Sequence, residues 1–432
     1  MENTRYFTLK LLNRTFENDG FSNIMLDNAL SKSDLDSQGK SFVAALYYGV
    51  IERKITLDCI ISKYATKKID SDIKNILRMG IYQLKYMDSV PDRAGVNESV
   101  NLVHKIRKAS AKSFVNAVLR NFIRDGKNID YPKDRIKKYS VMYSVPEPLI
   151  RKLDDEYGEE YMISLLESSV TAPPVTVRMN SLKTTCEDFT KLTGAVPVEK
   201  IENCFEIKGK VTGTKAFEQG LFHVQDIASQ LCCMALSPAS DEVVFDMCAS
   251  PGGKTFTLAE LMQGKGKVYS FDLYPQRVKR IKDGAERLGL ENIETAVGDA
   301  TVFNEKLPEA DKILCDVVCS GLGVIRRKPE IKYKDLKSFE ELPEIQYSIL
   351  ENASRYLKDG GEIVYSTCTL NRAENDDVVK KFLEKHTEFE LVPFLENLGE
   401  PFGTGMVTLV PAFFGSDGFF IAKLRKNKGG KA

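Results

Sequence analysis

The sequence predicts three consecutive structural units: an all-helical one, a small mixed α+β one and a doubly wound α/β one. From Arg5 to about Arg124 apolar residues recur at three and four positions. At "TAPPVTVRMNSLK" this gives way, behind two prolines, to the alternation of a strand. Beyond Ser240 short apolar runs alternate with helical segments. A length of 432 residues agrees, being too long for one typical domain.

In the first unit, residues 1–135, "FTLKLLNRTF", "SFVAALYYGVIERKITLDCIISKY", "IKNILRMGIYQLKYM", "VNESVNLVHKI" and "SFVNAVLRNFI" each put one apolar stripe on a helix. A bundle of five or more helices follows. "YPKDRIKKYSVMYSVPEPLIRKLDDEYG" reads as a linker passing into more helix, with Pro146 and Pro148 at a helix start. The middle unit, 141–236, continues in short strands and Gly turns through "FEIKGKVTGTKAFEQGLFHVQD". The third, 237–426, alternates "EVVFDMC", "GKVYSFDL", "IETAVGD", "KILCDVV" and "GGEIVYSTCT" with helices, implying a mostly parallel, Rossmann-like sheet covered on both faces. "MVTLVPAFFGSDGFFIAKLRK" closes it as an antiparallel hairpin, and the tail "KNKGGKA" is expected to be disordered.

No run of eighteen apolar residues offers a membrane span, and from the start "MENTRYFTLKLLNRTFENDG", with an acid at position 2 and no apolar stretch ending in small residues, no secretory signal is expected. Nine cysteines in that setting read as reduced thiols of a cytoplasmic protein, acting as a monomer and away from membranes. Lys plus Arg equals Asp plus Glu at 61, so any nucleic-acid site must be local. Two stretches qualify: His104 to Lys138, with eleven Lys and Arg against three Asp, and "IRRKPEIKYKDLK". Taken alone, a charge run is more often a solvated face. His104, His223 and His386 lie far apart and no CxxC spacing occurs, so no metal site is expected.

"VVFDMCASPGGKTFTLAEL" joins a buried strand to a helix through a loop whose Pro251, Gly252 and Gly253 allow a tight turn and bring free N–H groups to a ligand. Asp272 ends the next strand about 20 residues on, where a carboxylate can hold both ribose hydroxyls, and Asp299 ends the third, near an adenine amine. A nicotinamide cofactor predicts three spaced glycines. S-adenosylmethionine, with no pyrophosphate to cradle, suits this reduced set better.

Three stretches, "DMCASPGGKT", "DVVCSGLGVIRRKPEIKY" and "YSTCTLNRAENDDVV", resemble the RNA cytosine-5 methyltransferases of the Sun type, over roughly 170 to 425. "PPVTVRMNSLK", "FEQGLFHVQDIASQL" and "GSDGFF" are further stretches of that kind, and the helical first part is similar to the antitermination-factor NusB fold. The order and length resemble, end to end, members acting on small-subunit ribosomal RNA. The resemblance implies Cys368 as nucleophile, Cys319 as the residue assisting release, and Asp316 and Lys254 beside methyl donor and target base. It implies a cofactor site of Cys248, Ala249, Ser250, Pro251, Gly252, Gly253, Lys254, Asp272, Arg277, Asp299 and Asp316. RNA contacts would come from Arg178 and Asn180 of "VRMNS", from Arg326, Arg327 and Lys328, and from the basic helical segment. The family usually has proline before the second motif's cysteine, where this chain has Val318; proline would fix that backbone angle and remove a donor.

The chemistry asks for a thiol. Carbon 5 of cytosine is a poor nucleophile until a thiolate adds to carbon 6 and makes it enamine-like; methyl transfer, loss of the carbon-5 proton and elimination of the cysteine then complete the cycle. The expected activity is therefore S-adenosylmethionine-dependent methylation of carbon 5 of a specific cytosine in small-subunit ribosomal RNA. Alternatives are a transfer-RNA substrate or a non-catalytic RNA-binding or antitermination factor. The other cysteines, 59, 186, 204, 232, 233 and 315, read as small buried hydrophobes.

Overall fold

The computed structural model describes residues 3–18, 22–412 and 414–429, and the last three residues of the tail lie outside them. The chain forms two compact units. One comprises Met1–Thr171 with Ile325–Leu336, the other Ala172–Val324 with Lys337–Ala432.

The first unit is helical throughout. Its main helices are Thr4–Asn18, Ser37–Glu52, Lys54–Tyr64, Ser71–Tyr86, Asp92–Lys105 and Lys112–Arg124, followed by Arg135–Tyr143, Glu147–Tyr157 and Glu159–Ser168. Asp36, Asp70 and Asp134 start three of them by accepting backbone N–H bonds from the first turn. Ser71–Tyr86 is buried on most sides, and Leu46, Val50, Ile76, Leu77, Leu119 and Phe122 pack into one core. The helices from Arg135 to Ser168, lying from residue 141 on within the expected middle unit, belong here. Thr56 Oγ1 donates to the Val141 carbonyl (2.5 Å) and the Ile55 N–H donates to Ser144 Oγ (2.9 Å), which fastens Arg135–Tyr143 to Lys54–Tyr64. The detached segment 325–336 enters this unit too: Lys332 Nζ donates to the Glu52 carbonyl (2.9 Å), and the Tyr333 hydroxyl lies 2.8 Å from the Ile51 carbonyl.

The second unit carries two sheets. β1 (Thr176–Met179), β2 (Val196–Pro197), β3 (Cys204–Glu206) and β4 (Phe222–Val224) form an antiparallel sheet in the order β2-β3-β1-β4, over a core of Val177, Phe189, Phe205 and Phe222. The larger sheet comprises β5 (Val243–Asp246), β6 (Lys267–Asp272), β7 (Ile293–Val297), β8 (Ala310–Asp316), β9 (Leu357–Thr367), β10 (Phe389–Leu391), β11 (Met406–Leu409) and β12 (Phe419–Lys426). Its order is β10-β12-β9-β8-β5-β6-β7, with β11 also on β12. From β7 to β9 the strands are parallel, and the hairpin β11–β12 adds antiparallel at the β9 edge. β5 leads to β6 and β7 on one side and β8 lies on its other. That reversal opens a crevice at the carboxyl ends of β5 and β8, the usual ligand position in such sheets. Among the described residues no helix is long and apolar enough to cross a membrane.

Candidate active site

The loop after β5 is held tightly to its neighbours. The Met247 N–H donates to the Leu314 carbonyl (3.0 Å) and the Ala249 N–H to the Phe271 carbonyl (2.8 Å), so Cys248 to Gly253 turns across three strand ends. Gly252 takes φ +109°, and a Cβ there would stand 2.4 Å from Phe256 Cζ. The helix Gly253–Leu261 starts with no side-chain cap, leaving its first N–H groups to the crevice. Beneath the loop Asp246 is fully buried, its Oδ2 accepting the Thr255 hydroxyl (2.7 Å), and burial pushes its carboxyl up to about 7.

Asp272 ends β6 and is nearly buried; its Oδ1 accepts the Tyr274 N–H (3.1 Å) and lies 3.8 Å from the guanidinium of the half-exposed Arg277. Asp299, two residues past β7, is kept below the usual carboxylate range by the Thr301 hydroxyl (2.7 Å) and N–H. It borders a cleft of about 590 Å³ with Met247, Phe271, Val297, Phe303 and Tyr356. Two carboxylates at strand ends, apolar walls and uncapped helix N–H groups together suit a nucleoside-like ligand.

At the ends of β8 and β9 the chemistry-bearing groups converge. Asp316 Oδ1 accepts the Ser366 hydroxyl (2.9 Å), and its Oδ2 accepts Lys254 Nζ (2.8 Å), which also reaches Ser229 Oγ (3.2 Å). Burial would lower the Lys254 pKa, but the charge and hydrogen bond of Asp316 outweigh it, and the ammonium is held charged. Cys319 and Cys368, both partly exposed, stand with their Sγ atoms 3.2 Å apart. Contact with Cys368 first, and burial second, pushes the Cys319 thiol well above its ordinary range. The two loops are stitched together. The Gly323 N–H donates to the Cys368 carbonyl (3.0 Å), the Gly418 N–H to the Gly323 carbonyl (2.9 Å), and a Cβ at Gly323 would lie 2.0 Å from the Gly418 oxygen. This close approach explains why glycines stand in "CSGLG" and "GSDGFF". Val318 is 54% exposed, and its carbonyl accepts Gln346 Nε2 (2.9 Å).

Two expectations are corrected. Arg178 and Asn180 do not face RNA: they are 1% and 3% exposed and fully engaged inside the unit. Arg178 Nε pairs with Glu260 Oε2 (2.5 Å), and Asn180 Nδ2 donates to the Gly220 and Leu288 carbonyls. Nor are all six remaining cysteines buried: Cys204, Cys232, Cys233 and Cys315 are, while Cys59 is half-buried and Cys186 exposed. Arg326, Arg327 and Lys328 lie in the helical unit, each partly exposed. Sequence reasoning missed Asp246, Ser229 and Glu374; Asp246, ending the apolar run of "VVFDMC", and Glu374, an acid in the loop "LNRAEND" without apolar period, left a trace, and Ser229 left none.

Residues 233–425 match the model of the family "16S rRNA methyltransferase RsmB/F", and residues 2–124 match the NusB family. A probable ribosomal RNA small subunit methyltransferase B of Bacillus subtilis is 37% identical, with 98% of each chain covered. The crystal structure of PH0851 superposes with a TM-score of 0.82 at 26% identity, covering 99% of both chains. A methyltransferase homolog protein from Pyrococcus horikoshii gives a TM-score of 0.60 at 28% identity over 68% of this chain and all of its own. With a helical NusB unit, a methyltransferase sheet and relatives matched end to end, this chain belongs to the ribosomal RNA small subunit methyltransferase B family of RNA methyltransferases.

Proposed function

We propose that the protein methylates carbon 5 of a cytosine in small-subunit ribosomal RNA, with Cys368 as nucleophile and Cys319 as the group that assists release. The observation that carries this reading is the thiol pair, 3.2 Å apart at the carboxyl ends of β8 and β9. S-adenosylmethionine would be held by the Gly252–Gly253 turn, with the Gly253 N–H at the helix start, and by Asp272, Arg277 and Asp299, and would supply an electrophilic methyl group.

The chain's own groups divide the remaining work. Cys368 adds as thiolate to carbon 6, which makes carbon 5 nucleophilic. Cys319 and Cys368 stand within hydrogen-bond distance, and with the Cys319 thiol as donor the contact favours a thiolate at Cys368. Lys254, fixed by Asp316, offers positive charge at the strand ends where the pyrimidine edge would sit. The target base must be unstacked to present carbon 6, which favours single-stranded or extruded RNA. Lys105, Arg107, Lys112, Arg120, Arg124, Lys133, Lys137 and Lys138 are exposed on the helical unit and, with Arg326, Arg327 and Lys328, supply cations for the RNA backbone. Lys108, Lys127 and Arg135 are instead spent on Asp70 and Asp72, Asp92, and Asp154 and Glu159.

The test is transfer of labelled methyl to unmodified small-subunit ribosomal RNA, with the product nucleoside identified. Wild type is expected to yield 5-methylcytidine, Cys368→Ala to lose at least ~10³-fold in rate as a missing nucleophile does, and Cys319→Ala to accumulate a covalent protein–RNA adduct. Transfer to transfer RNA alone, or full activity of Cys368→Ala, would overturn it.

A further inference from the structure

Behind the thiol pair lies a carboxylate that this chemistry does not use. Glu374, in the single turn Arg372–Glu374, is wholly buried. Its Oε2 accepts the Ser320 N–H (2.8 Å) and Gln346 Nε2 (3.0 Å), and its Oε1 accepts Asn371 Nδ2 (2.8 Å). Because Gln346 Nε2 also reaches the Val318 carbonyl, the residues on both sides of Cys319 hang from this one carboxylate. On the Cys368 side, the Tyr365 hydroxyl donates to the Glu374 carbonyl (2.6 Å). The neighbouring Asn375 accepts the Thr367 hydroxyl (2.6 Å) and donates to the Thr369 carbonyl (3.0 Å), so both flanks of Cys368 are held as well. A Ser320–Thr369 hydroxyl bond (2.7 Å) closes the bracket.

We infer that Glu374 is a positioning residue that sets the distance between the two thiols, and through it the fate of the covalent adduct. This rests on the release role proposed for Cys319. A carboxylate suits the task because each oxygen accepts from more than one direction, and here three N–H groups from three segments converge on it. Displacement of a reacting group by about 1 Å can cost ~10²-fold in rate, so a clamp that fixes the Cys319 backbone governs release more than addition.

Glu374→Gln keeps size and one acceptor oxygen. Its amide would face Asn371 Nδ2, and Asn371 can turn to meet it, since the Asn371 Oδ1 is buried without a hydrogen-bond partner. The fold is therefore expected to survive, with the bracket weakened. The experiment uses the full chain as wild type, Glu374→Gln, Glu374→Ala, Cys319→Ala and Cys368→Ala, with two readouts: adduct on denaturing gels during methyl transfer, and the affinity of phenylarsine oxide, which bridges closely spaced thiols. In Glu374→Gln we expect turnover to fall about tenfold with KM unchanged, adduct to accumulate as in Cys319→Ala, and arsenical affinity to fall about tenfold. Wild-type turnover, or unchanged arsenical affinity in a folded Glu374→Gln, overturns the inference. If Cys319→Ala itself traps no adduct, the release role fails instead, and the arsenical titration alone decides: weakened bridging supports the clamp and unchanged bridging refutes it. Should Glu374→Ala not fold, Glu374→Gln still decides.

Discussion

Asp246 closes β5 beneath the glycine loop with one oxygen on the Thr255 hydroxyl and the other without a hydrogen-bond partner. Burial raises its carboxyl to about 7; Asp316 adds to this, while Thr255 and Lys254 oppose it. An aspartate in the unfolded chain releases its proton near pH 4, so between about 4 and 7 the folded protein holds a proton that the unfolded chain does not. Stability from this group is thus full at low pH and is lost as pH rises through that window, by about 4 kcal/mol for a change of this size. Urea unfolding of wild type and Asp246→Asn at pH 5 and pH 8 checks it: the wild type should lose ground against the variant at the higher pH, and an equal difference at both would refute the sign. The residue's position was legible in "VVFDMC", where an acid ends an apolar run. Its charge state was not, because burial on every side depends on β6 and β8, which the sequence does not pair with β5.

At the scale of elements, what the sequence shows well is period and what it hides is partnership. The thiols could be placed at strand ends from "KILCDVV" and "EIVYSTCT", since apolar runs bounded by polar residues reveal where a parallel strand stops. Arg178 and Asn180, expected at the RNA from the family resemblance, misled because nothing local reveals Glu260, 82 positions from Arg178. That pair joins β1 of the small sheet to the helix Gly253–Leu261, whose first turn faces the crevice, and Asn203 shares the same carboxylate (3.2 Å). Removing one member of a buried pair leaves the other charge uncompensated, a loss of ~3–5 kcal/mol. Arg178→Ala should therefore lower the urea midpoint by that measure, and in the fraction that remains folded its RNA affinity should match the wild type's. A stable variant with weakened RNA binding would restore the surface reading.

At the scale of the whole chain, the least legible feature is the path of residues 325–336. The sequence presents them as a basic run following Cys319, yet the chain leaves the methyltransferase unit after Val324, packs as part of the helical unit, and returns at Lys337. Its anchors lie 189 to 282 positions from their partners: Lys332 on the Glu52 carbonyl and Tyr333 on those of Ile51, Glu52 and Ser144. Burial pulls the Lys332 pKa below the usual lysine value, with Glu52 opposing. Lys54 lies 4.8 Å above the Tyr333 ring, so aromatic contact and hydroxyl bonding act together. The same run holds Arg326, Arg327, Lys332 and Lys334, four trypsin sites whose cleavage requires the segment to open, while Lys328 is shielded by the following Pro329. Truncating a half-buried aromatic at a cost of about 2 kcal/mol raises the open population about thirtyfold. Limited trypsin digestion of Tyr333→Ala should accordingly cut within 325–336 at least ~10-fold faster than in wild type, and Tyr333→Phe, which loses only the hydroxyl, should fall between. Equal cleavage rates in all three would mean that Tyr333 does not hold the segment.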